Sequence, residues 1–443
     1  MIKNSELAAL LPDYLREQRW YGSSDRTLAD VRIVDTEVWK ADFPGLAWVL
    51  AEATFVDAPP ATYQVFVGLR PHGSTQDFLR GKDNSVLGEL RTPIGRALAY
   101  DALIDPELTL DVARRLATEE TFTSVRPLNV EQSNTSIVFD ERLILKVFRR
   151  VYEGSNPDVE VTRKLHDVGF ENITAPVVEW QRHGFDLAVL RVYLVGSTAG
   201  LAMARLSLRD IFQRRRAPST VGGDFGPEAR RLGEITARMH LAMAEAFGLF
   251  ESDPAGWSAA MAAHLDRIDA TDIDRDAVLA QYRRLAELDD AGPAMRIHGD
   301  YHLDQTLRTD DGWYVLDFEG EPARPLDERT APSSPLRDVA GMMRSFQYAA
   351  RLTLAERGEH DEVELLEWAE QWEQHVVRTF LAGYRETPGI DALLPPKEEA
   401  LWTVLRAFEL DKAVYEVGYE RAHRPTWVDI PLSAVNRLIE IRA

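Results

Sequence analysis

Apolar and polar residues alternate over much of the stretch from residue 28 to residue 70. Because successive side chains of a β-strand point to opposite faces, this alternation predicts an antiparallel sheet. Strands are predicted at residues 31–33, 47–50 and 63–67, and a helix is predicted near residues 108–117. The N-terminal part of the chain is therefore expected to form a β-rich module.

A hairpin is predicted further along, where the apolar segments 136–139 and 143–148 flank the polar pair Asp140-Glu141. Beyond Pro157 the periodicity becomes helical as far as residue 165, and strand-like segments follow it. From Gly196 onwards helical segments predominate. The strand-like segments are 176–180 and 187–194, the helical ones are 226–250, 277–286, 336–352, 362–386 and 401–421, a short β patch covers 297–318, and loops are predicted at 214–223 and 321–335.

This order of elements favours an α+β fold of the bilobal, protein-kinase-like kind, with an extra N-terminal β-rich cap module and a mainly helical C-lobe. We expect the cap at residues 1–90, a small lobe with its hinge at 91–195 and the helical lobe at 196–443. A chain of 443 residues is too long for a single hydrophobic core, which agrees with a division into domains.

Charge and cysteine content exclude several classes of protein. The chain has 51 basic and 72 acidic residues, and a net charge of −21 repels nucleic acids and anionic lipids. We therefore expect no nucleic acid and no membrane as partner, and no obligate protein partner is evident. The absence of cysteine rules out disulfides, thiolate zinc sites and cysteine nucleophiles. Without a signal-peptide pattern or a long apolar run, a cytoplasmic location is expected.

The most informative motif is a His-Gly-Asp tripeptide that ends at Asp300 and is followed five residues later by Gln305. Asp317 then follows a short apolar strand predicted at residues 313–316. Protein kinases use His-Arg-Asp, an Asn five residues later and a metal-binding Asp at the end of a nearby strand. By this analogy Asp300 is the predicted catalytic carboxylate, which orients the attacking hydroxyl group. Gln305 and Asp317 are the predicted ligands of Mg²⁺.

Two other interpretations of this motif stay open. His298, Asp300 and His302 occupy alternate positions, which on a strand would face one way and could form a metal-hydrolase cluster. The same residues could also be surface polar groups without a role. The first interpretation leaves Gln305 and Asp317 unexplained, and the second does not account for the density of carboxylates after Asp317. The phosphoryl-transfer interpretation is therefore favoured.

A kinase also needs a strand lysine that contacts the nucleotide phosphates and a helical glutamate that holds this lysine. Lys146 ends an apolar strand pattern, and Glu160 lies fourteen residues later in the predicted helix. No G-x-G-x-x-G motif is present; small polar residues at 131–136 take its place and would let backbone N–H groups approach phosphates. Taken alone, Lys146 is typical of a solvent-facing lysine and residues 131–136 of a polar turn.

These motifs resemble those of the actinobacterial maltokinase family, within the aminoglycoside-phosphotransferase and choline-kinase-like superfamily. The resemblance covers nearly the whole chain. It is carried by Gln18-Arg19-Trp20-Tyr21, residues 131–136, 144–150 and 298–300, Asp317-Phe318-Glu319-Gly320-Glu321-Pro322, and residues 335–341, 409–416 and 423–427. It implies a cap, an ATP-binding lobe, a helical acceptor-binding lobe, ATP and Mg²⁺ as cofactors, and a small sugar as substrate. The ATP-binding residues that it implies are Lys146, Glu160, Gln132, Ser133, Asn134, Thr135 and Ser136, with Val192, Tyr193 and Leu194 as the hinge that holds the adenine.

One position departs from the maltose-phosphorylating members, because Asp304 stands where they have a glycine. A related branch of the family resembles maltokinases but phosphorylates glucosamine, whose ammonium group an extra carboxylate would stabilise through charge-assisted hydrogen bonds. Glucosamine is therefore favoured and maltose remains the alternative. Asp304 could equally point to solvent.

Further acceptor-binding residues are expected on the helix at 401–421 and just beyond it. The full predicted set is Asp300, His302, Asp304, Asp317, Glu321, Asp411, Tyr415, Glu416, Glu420 and Trp427. Most apolar positions of that helix are typical of core packing, and Trp427 could be a buried structural residue. A catalytically inactive sugar- or nucleotide-binding module and a protein kinase are the competing functions. The first is disfavoured by Lys146, Asp300, Gln305 and Asp317, and the second by the lack of an Ala-Pro-Glu motif.

Overall fold

The computed structural model describes residues 3–23, 26–74, 76–128, 134–321, 324–357 and 359–440. The chain divides into two compact units. The first comprises Met1–Glu160 and Thr174–Val195, and the second comprises Val161–Ile173 and Gly196–Ala443. In the described part of the chain, no helix has both the length and the hydrophobicity needed to cross a membrane.

The first unit is built mainly from antiparallel strands. Its strands are β1 (Leu28–Lys40), β2 (Gly45–Phe55), β3 (Ala61–Pro71), β4 (Val86–Thr92), β5 (Gly95–Asp101), β6 (Val125–Pro127), β7 (Thr135–Phe139), β8 (Leu143–Val147), β9 (Arg150–Val151), β10 (Pro176–Arg182) and β11 (Phe185–Val192). Its helices are α1 (Asn4–Arg16) and α2 (Pro106–Leu116), and α3 (Pro157–Asp167) begins in this unit and continues into the second.

Two sheets form the first unit. One has the strand order β1-β2-β3-β5-β4, with β9 paired to β3, and the other has the order β10-β11-β8-β7-β6. Alternating side chains of β2 and β3 supply two separate cores, since Val49 and Val65 pack with α1, whereas Trp48 and Phe66 join α2 and the second sheet. This period-two pattern is the one that predicted the first strands from the sequence.

The hairpin β7–β8 turns at the polar pair predicted from the sequence. Asp140 and Glu141 have φ values of 51° and 48°, and the N–H of Arg142 donates to the carbonyl oxygen of Phe139 at 2.9 Å. Two consecutive residues with positive φ give a turn of the I′ kind, whose twist matches that of the flanking strands. The predicted hairpin is confirmed.

The second unit is mainly helical. Its helices are α4 (Gly200–Arg214), α5 (Gly226–Phe247), α6 (Pro254–Arg267), α7 (Arg275–Ala286), α8 (Leu326–Thr330), α9 (Leu336–Ala355), α10 (Glu359–Arg385), α11 (Glu398–His423) and α12 (Asp429–Glu440). Its strands are β12 (Thr198–Ala199), β13 (Leu249–Phe250), β14 (Ala294–Met295), β15 (Thr306–Thr309) and β16 (Gly312–Val315). One large hydrophobic cluster joins these helices.

Helices α5 and α10 approach each other closely at two glycines. A Cβ atom on Gly233 would lie 2.1 Å from the carbonyl oxygen of Phe380, and one on Gly383 would lie 2.0 Å from that of Arg230. Real Cβ atoms do not approach an oxygen so closely, so both positions require glycine for this packing.

Several predicted boundaries differ from the observed ones. Helix α5 ends at Phe247 rather than at residue 250, because Gly248 adopts φ 81°, which a continuing helix does not allow. The loop predicted at 321–335 is wrong in its centre, where α8 forms, and the patch predicted at 297–318 has strands only at β15 and β16. The three-domain division stays a prediction; its first boundary falls inside β4, and its second coincides with the end of the first unit at Val195.

Candidate active site

The catalytic loop, defined here as residues 298–305, is fixed by a buried carboxylate at the start of α9. Asp338 accepts hydrogen bonds from the backbone N–H of His298 at 2.8 Å and of Gly299 at 2.9 Å, and from Nε2 of His240 at 3.2 Å. Burial would raise the pKa of Asp338, but the hydrogen bond from His240 and the charges around it lower that pKa. An ionised Asp338 therefore holds the backbone just before Asp300. Asp338 was not among the site residues predicted from the sequence.

His298 braces the same loop through both ring nitrogens. Its Nε2 lies 2.8 Å from the carbonyl oxygen of Leu316, and its Nδ1 lies 3.3 Å from the backbone N–H of Asp300. Because a carbonyl only accepts, Nε2 is the protonated nitrogen and Nδ1 accepts. Both nitrogens are occupied by the backbone, so the arrangement does not favour the metal-hydrolase interpretation.

The Asp300 carboxylate is paired with a lysine that the sequence analysis did not single out. The Lys412 Nζ lies 3.2 Å from Asp300 Oδ1 and 2.6 Å from Glu321 Oε1, and His302 Nε2 lies 3.7 Å from Asp300 Oδ2. Burial opposes ionisation of Asp300, yet Lys412 and then His302 hold its pKa well below the usual range. Asp300 is therefore an ionised carboxylate at neutral pH.

Lys412 and Glu321 support each other in the same way. Burial lowers the pKa of a lysine, but Glu321 and Asp300 raise the pKa of Lys412 well above its usual value. Burial likewise disfavours the charged form of Glu321, but Lys412, Arg337 and Arg324 lower its pKa to about 2. Glu321 also accepts hydrogen bonds from Arg324 and, at 3.4 Å, from Arg337. Lys412 and Glu321 are therefore both ionised at neutral pH.

A recess opens beside this ionised group. Asp411 lines it together with Asp300, Glu321 and Lys412, and carries weaker contacts, with Arg324 Nη2 at 3.7 Å and His264 Nδ1 at 3.3 Å. The Tyr415 ring lies 5.0 Å from Lys412 Nζ, and burial raises the pKa of Tyr415 to about 12. The structure thus brings together five predicted acceptor-binding residues: Asp300, His302, Glu321, Asp411 and Tyr415.

The two predicted metal ligands lie next to each other. The Gln305 Nε2 is 3.4 Å from Asp317 Oδ2, and the N–H of Leu316 donates to the carbonyl oxygen of Gln305 at 2.9 Å. Asp317 has a φ of 61°, so the chain turns sharply directly after β16. An amide oxygen and a carboxylate are hard donors of the kind that Mg²⁺ prefers, and the pair therefore fits this ion.

The remaining predicted acceptor residues have other surroundings. Glu416 accepts from Arg344 Nε at 2.9 Å, and Glu420 accepts from Tyr348 Oη at 3.1 Å and from Arg424 at 2.7 Å. The Arg424 guanidinium also covers the Trp427 ring at 4.3 Å. Asp304 is exposed, and within the described ranges no hydrogen bond or ion pair reaches it.

In the first unit, the strand lysine contacts a carboxylate that was not among the predicted site residues. Lys146 Nζ lies 3.0 Å from Oδ2 of Asp158, which is fully buried in the first turn of α3. The predicted partner, Glu160, stands two residues later in the same helix and is partly buried. Asp158 was missed because a helical pattern does not show which side of the helix faces the lysine.

The other predicted nucleotide-binding residues are only partly described. Gln132 and Ser133 lie outside the described residues. Thr135 and Ser136 begin β7, and Thr135 Oγ1 accepts from Arg149 Nε at 2.8 Å. Asn134 directly precedes that strand.

The predicted hinge follows β11, which ends at Val192. The N–H of Tyr193 donates to the carbonyl oxygen of Arg142 at 2.8 Å. The N–H of Leu194 makes no hydrogen bond within the described part of the chain. The hinge is thus tied to the β7–β8 turn while one N–H remains available to a ligand.

Comparison with known proteins places these features in a family. The model of the phosphotransferase enzyme family matches residues 124–372, and the model of the maltokinase N-terminal cap domain matches residues 14–105. A glucosamine kinase of Streptacidiphilus jiangxiensis is 29% identical over an alignment of 368 residues, and the match covers 76% of this chain and 81% of that protein. A glucosamine kinase of Mycolicibacterium smegmatis is 28% identical over an alignment of 344 residues, and the match covers 72% of this chain and 81% of that protein.

Solved structures agree with this fold. A glucosamine kinase in complex with glucosamine, ADP and inorganic phosphate superimposes with a TM-score of 0.65 at 22% identity, over 99% of this chain and all of that one. Another crystal form of a glucosamine kinase gives a TM-score of 0.67 at the same identity and coverage. The fold is therefore the kinase-like one predicted from the sequence, with an N-terminal cap and a helical C-terminal region.

Proposed function

Since the chain belongs to the phosphotransferase enzyme family and is a kinase, we propose that it transfers the γ-phosphate of ATP to glucosamine, in the presence of Mg²⁺, giving glucosamine 6-phosphate. The observation that carries this proposal is the ionised Asp300 on a braced loop at the edge of the recess. Two curated relatives that are glucosamine kinases support the choice of acceptor.

Asp300 is proposed to orient the attacking hydroxyl group rather than to store its proton. A carboxylate with a strongly lowered pKa is a weak base, but it accepts a hydrogen bond from the hydroxyl and fixes the direction of attack. Phosphoryl transfer depends mostly on such positioning and on charge stabilisation. Lys412 keeps the carboxylate ionised and in place.

Gln305 and Asp317 would hold Mg²⁺. When bound, the ion would neutralise negative charge on the phosphates. The backbone N–H of Leu194 favours ATP as the nucleotide. This N–H makes no hydrogen bond within the described residues, and it can donate to N1 of adenine, which is an acceptor. N1 of guanine carries a hydrogen and cannot accept from it.

The ammonium group of glucosamine needs a carboxylate that is not already neutralised. Of the predicted carboxylates, Asp300 and Glu321 hold Lys412, Glu416 holds Arg344, and Glu420 holds Arg424. Asp317 is proposed to hold Mg²⁺, so Asp411 and Asp304 remain. Asp411 lines the recess, and it has a long contact with Arg324 at 3.7 Å and one with His264 Nδ1 at 3.3 Å. It is therefore the partner we favour, and Asp304 is the alternative.

Maltose is the second candidate acceptor, and the match to the maltokinase cap model supports it. Four carboxylates line the recess (Asp300, Glu321, Asp338 and Asp411) together with three cations (Lys412, Arg324 and Arg337) among the described residues. Asp338 is already used by the backbone of the catalytic loop and by His240, and the other three carboxylates are matched in number by the cations, which suits a neutral sugar.

A comparison of acceptors tests the proposal. ADP release would be followed with glucosamine, N-acetylglucosamine, glucose and maltose, and the phosphorylated position would be read by ³¹P–¹H NMR. Glucosamine should be the best acceptor and the phosphate should lie on its 6-hydroxyl. Turnover of maltose with none of glucosamine would refute the glucosamine proposal and support maltose 1-phosphate formation.

A further inference from the structure

The carboxylate that holds Lys146 is shared with a second buried cation. Asp158 Oδ2 lies 3.0 Å from Lys146 Nζ and 3.1 Å from Arg191 Nη1. Arg191 Nη2 also donates to the backbone carbonyl oxygen of Asp158 at 3.3 Å. The side chains of Asp158 and Arg191 are 0% and 8% exposed, so water screens this triad little. One carboxylate is enough to hold the lysine of a kinase. The proposed chemistry therefore does not explain why Arg191 also contacts Asp158.

Arg191 faces the same side of the sheet as Lys146. In the β11–β8 pairing Val189 lies opposite Lys146 and Arg191 lies opposite Ile144, two residues before Lys146. Residues two apart on a strand point to one face, and directly paired residues share it. Arg191 thus lies on the lysine face, one residue before the hinge begins at Val192.

Residues near both ends of strand β11 bind the first turn of helix α3. Near its start, Asp186 Oδ2 accepts the N–H of Asn156 at 2.6 Å, and Asn156 Oδ1 in turn accepts the N–H of Asp158 at 2.9 Å. Near its end, Arg191 binds the side chain and the carbonyl group of Asp158. The position of Asp158, and through it that of Lys146, is set by the strand that continues into the hinge.

We propose that Arg191 is a positioning residue for the nucleotide, which aligns Lys146 with the hinge by sharing Asp158. This inference rests on the proposed use of a nucleotide. Arg191 shares the Asp158 carboxylate with Lys146, so that the carboxylate is held from two sides and Lys146 is held in place by a fixed partner. A helix turn fixed at both ends also keeps the lysine aligned before the nucleotide arrives, which lowers the cost of binding.

The test compares a phosphate-bearing ligand with one that lacks phosphate. Calorimetry would give the Kd of ADP and of adenosine for wild type, Arg191→Met, Arg191→Lys and the control Arg70→Met. Arg70 pairs with Asp105 at 2.8 Å in the same unit, without contact to the triad. We expect Arg191→Met to weaken ADP about tenfold, the usual effect of a lost charge-assisted contact, and adenosine less than about threefold. Arg191→Lys should recover most of the ADP affinity.

If Arg191 only stabilised the fold, the Kd values and Tm would change in a different way. Arg191→Met would then lower Tm as Arg70→Met does and leave the ratio of the two Kd values at the wild-type value, and this result would overturn the inference. If Arg191→Met does not fold, Asp158→Asn provides the same test, because its amide keeps the shape but weakens both contacts. Unchanged ADP binding in Asp158→Asn would also overturn it. A wild-type protein that fails to bind ADP would instead refute the proposed function itself.

Discussion

At the scale of single residues, the decisive contact is the one between Asp300 and Lys412. The lysine lies on α11, over a hundred residues from the catalytic loop, and it contacts both Asp300 and Glu321. Its position in the helical pattern is typical of a core residue, and the pairing is visible only in three dimensions. Asp300 itself follows from the His-Gly-Asp motif, because the motif lies within one short segment.

Asp300→Asn is expected to abolish most turnover while ADP binding and folding persist. The neutral amide is a weaker hydrogen-bond acceptor for the attacking hydroxyl group and no longer attracts Lys412, and the loss of such a group costs about a hundredfold to ten-thousandfold in kcat. Steady-state kinetics and ADP calorimetry measure the two effects. Asp310→Asn, at an exposed position in the β15–β16 turn, is the matched control. Turnover within about tenfold of wild type would show that Asp300 is not the catalytic carboxylate.

Lys412→Met should move the pH dependence of the reaction. With the lysine in place, the pKa of Asp300 lies well below its usual range and that of Glu321 is about 2, so both are ionised at neutral pH. Without it, both pKa values rise, and kcat/KM should fall on acidification from a higher pH than in wild type. Profiles of kcat/KM from about pH 4 to 9 measure this shift, because a carboxyl group with its usual pKa titrates at the acidic end of that interval. Lys397→Met, exposed just before α11, should keep the wild-type profile.

The same pairing makes the protein less stable in acid. A carboxyl group with a lowered pKa contributes stability above its unfolded-state pKa, and loses it as the pH falls through the folded-state value. For Glu321 that loss occurs as the pH falls from about 4.5 towards about 2. Lys412→Met should weaken this dependence, since Arg337 and Arg324 still lower the pKa of Glu321. An unchanged acid-unfolding curve would show that Glu321 is held by its arginines alone.

Asp411→Asn is expected to reduce the preference for glucosamine over glucose. Loss of a charge-assisted contact to the ammonium group should lower the ratio of the two kcat/KM values about ten- to a hundredfold. Asp304→Gly tests the alternative, in which Asp304 binds the ammonium group of glucosamine. If the ratio changes in neither variant, no carboxylate of this pair recognises the ammonium group.

At the scale of elements, the strongly periodic segments were predictable and the weakly periodic ones were not. Strands β1 to β3 and helices α5, α9, α10 and α11 show clear patterns, whereas strands β4, β5 and β9 and helices α1, α4, α6, α8 and α12 were missed. The choice between Asp158 and Glu160 illustrates the limit. Both stand in one helical turn, and only the tertiary contacts of α3 decide which side chain meets Lys146.

Gly233→Ala should destabilise the second unit through the α5–α10 contact. The added methyl group would lie 2.1 Å from the carbonyl oxygen of Phe380, which forces the helices apart and costs about 1–3 kcal/mol or more. Thermal unfolding measures the effect. Gly222→Ala is the control, because a Cβ atom there meets nothing within 4 Å. An equal Tm for both variants would show that the contact between α5 and α10 accommodates the added methyl group without loss of stability.

At the scale of the whole molecule, the sequence predicted the kinase-like fold with its cap, because the motifs extend along the chain. The cooperation of distant segments was not predictable. Asp338 anchors the catalytic loop from α9, and Lys412 reaches Asp300 from α11, although each is separated from its partner by tens of residues. Such contacts depend on how helices pack, which a single sequence does not encode in any local pattern.

The protonation of Lys412 also determines its reactivity towards electrophiles. Only a neutral amine is a nucleophile, and Asp300 and Glu321 keep this one charged far above neutral pH. Acylating or sulfonylating reagents that target active-site lysines should therefore spare Lys412 in the native protein. An inhibitor of this site would gain more from a cationic or hydrogen-bonding head group that engages Asp411 than from a covalent warhead.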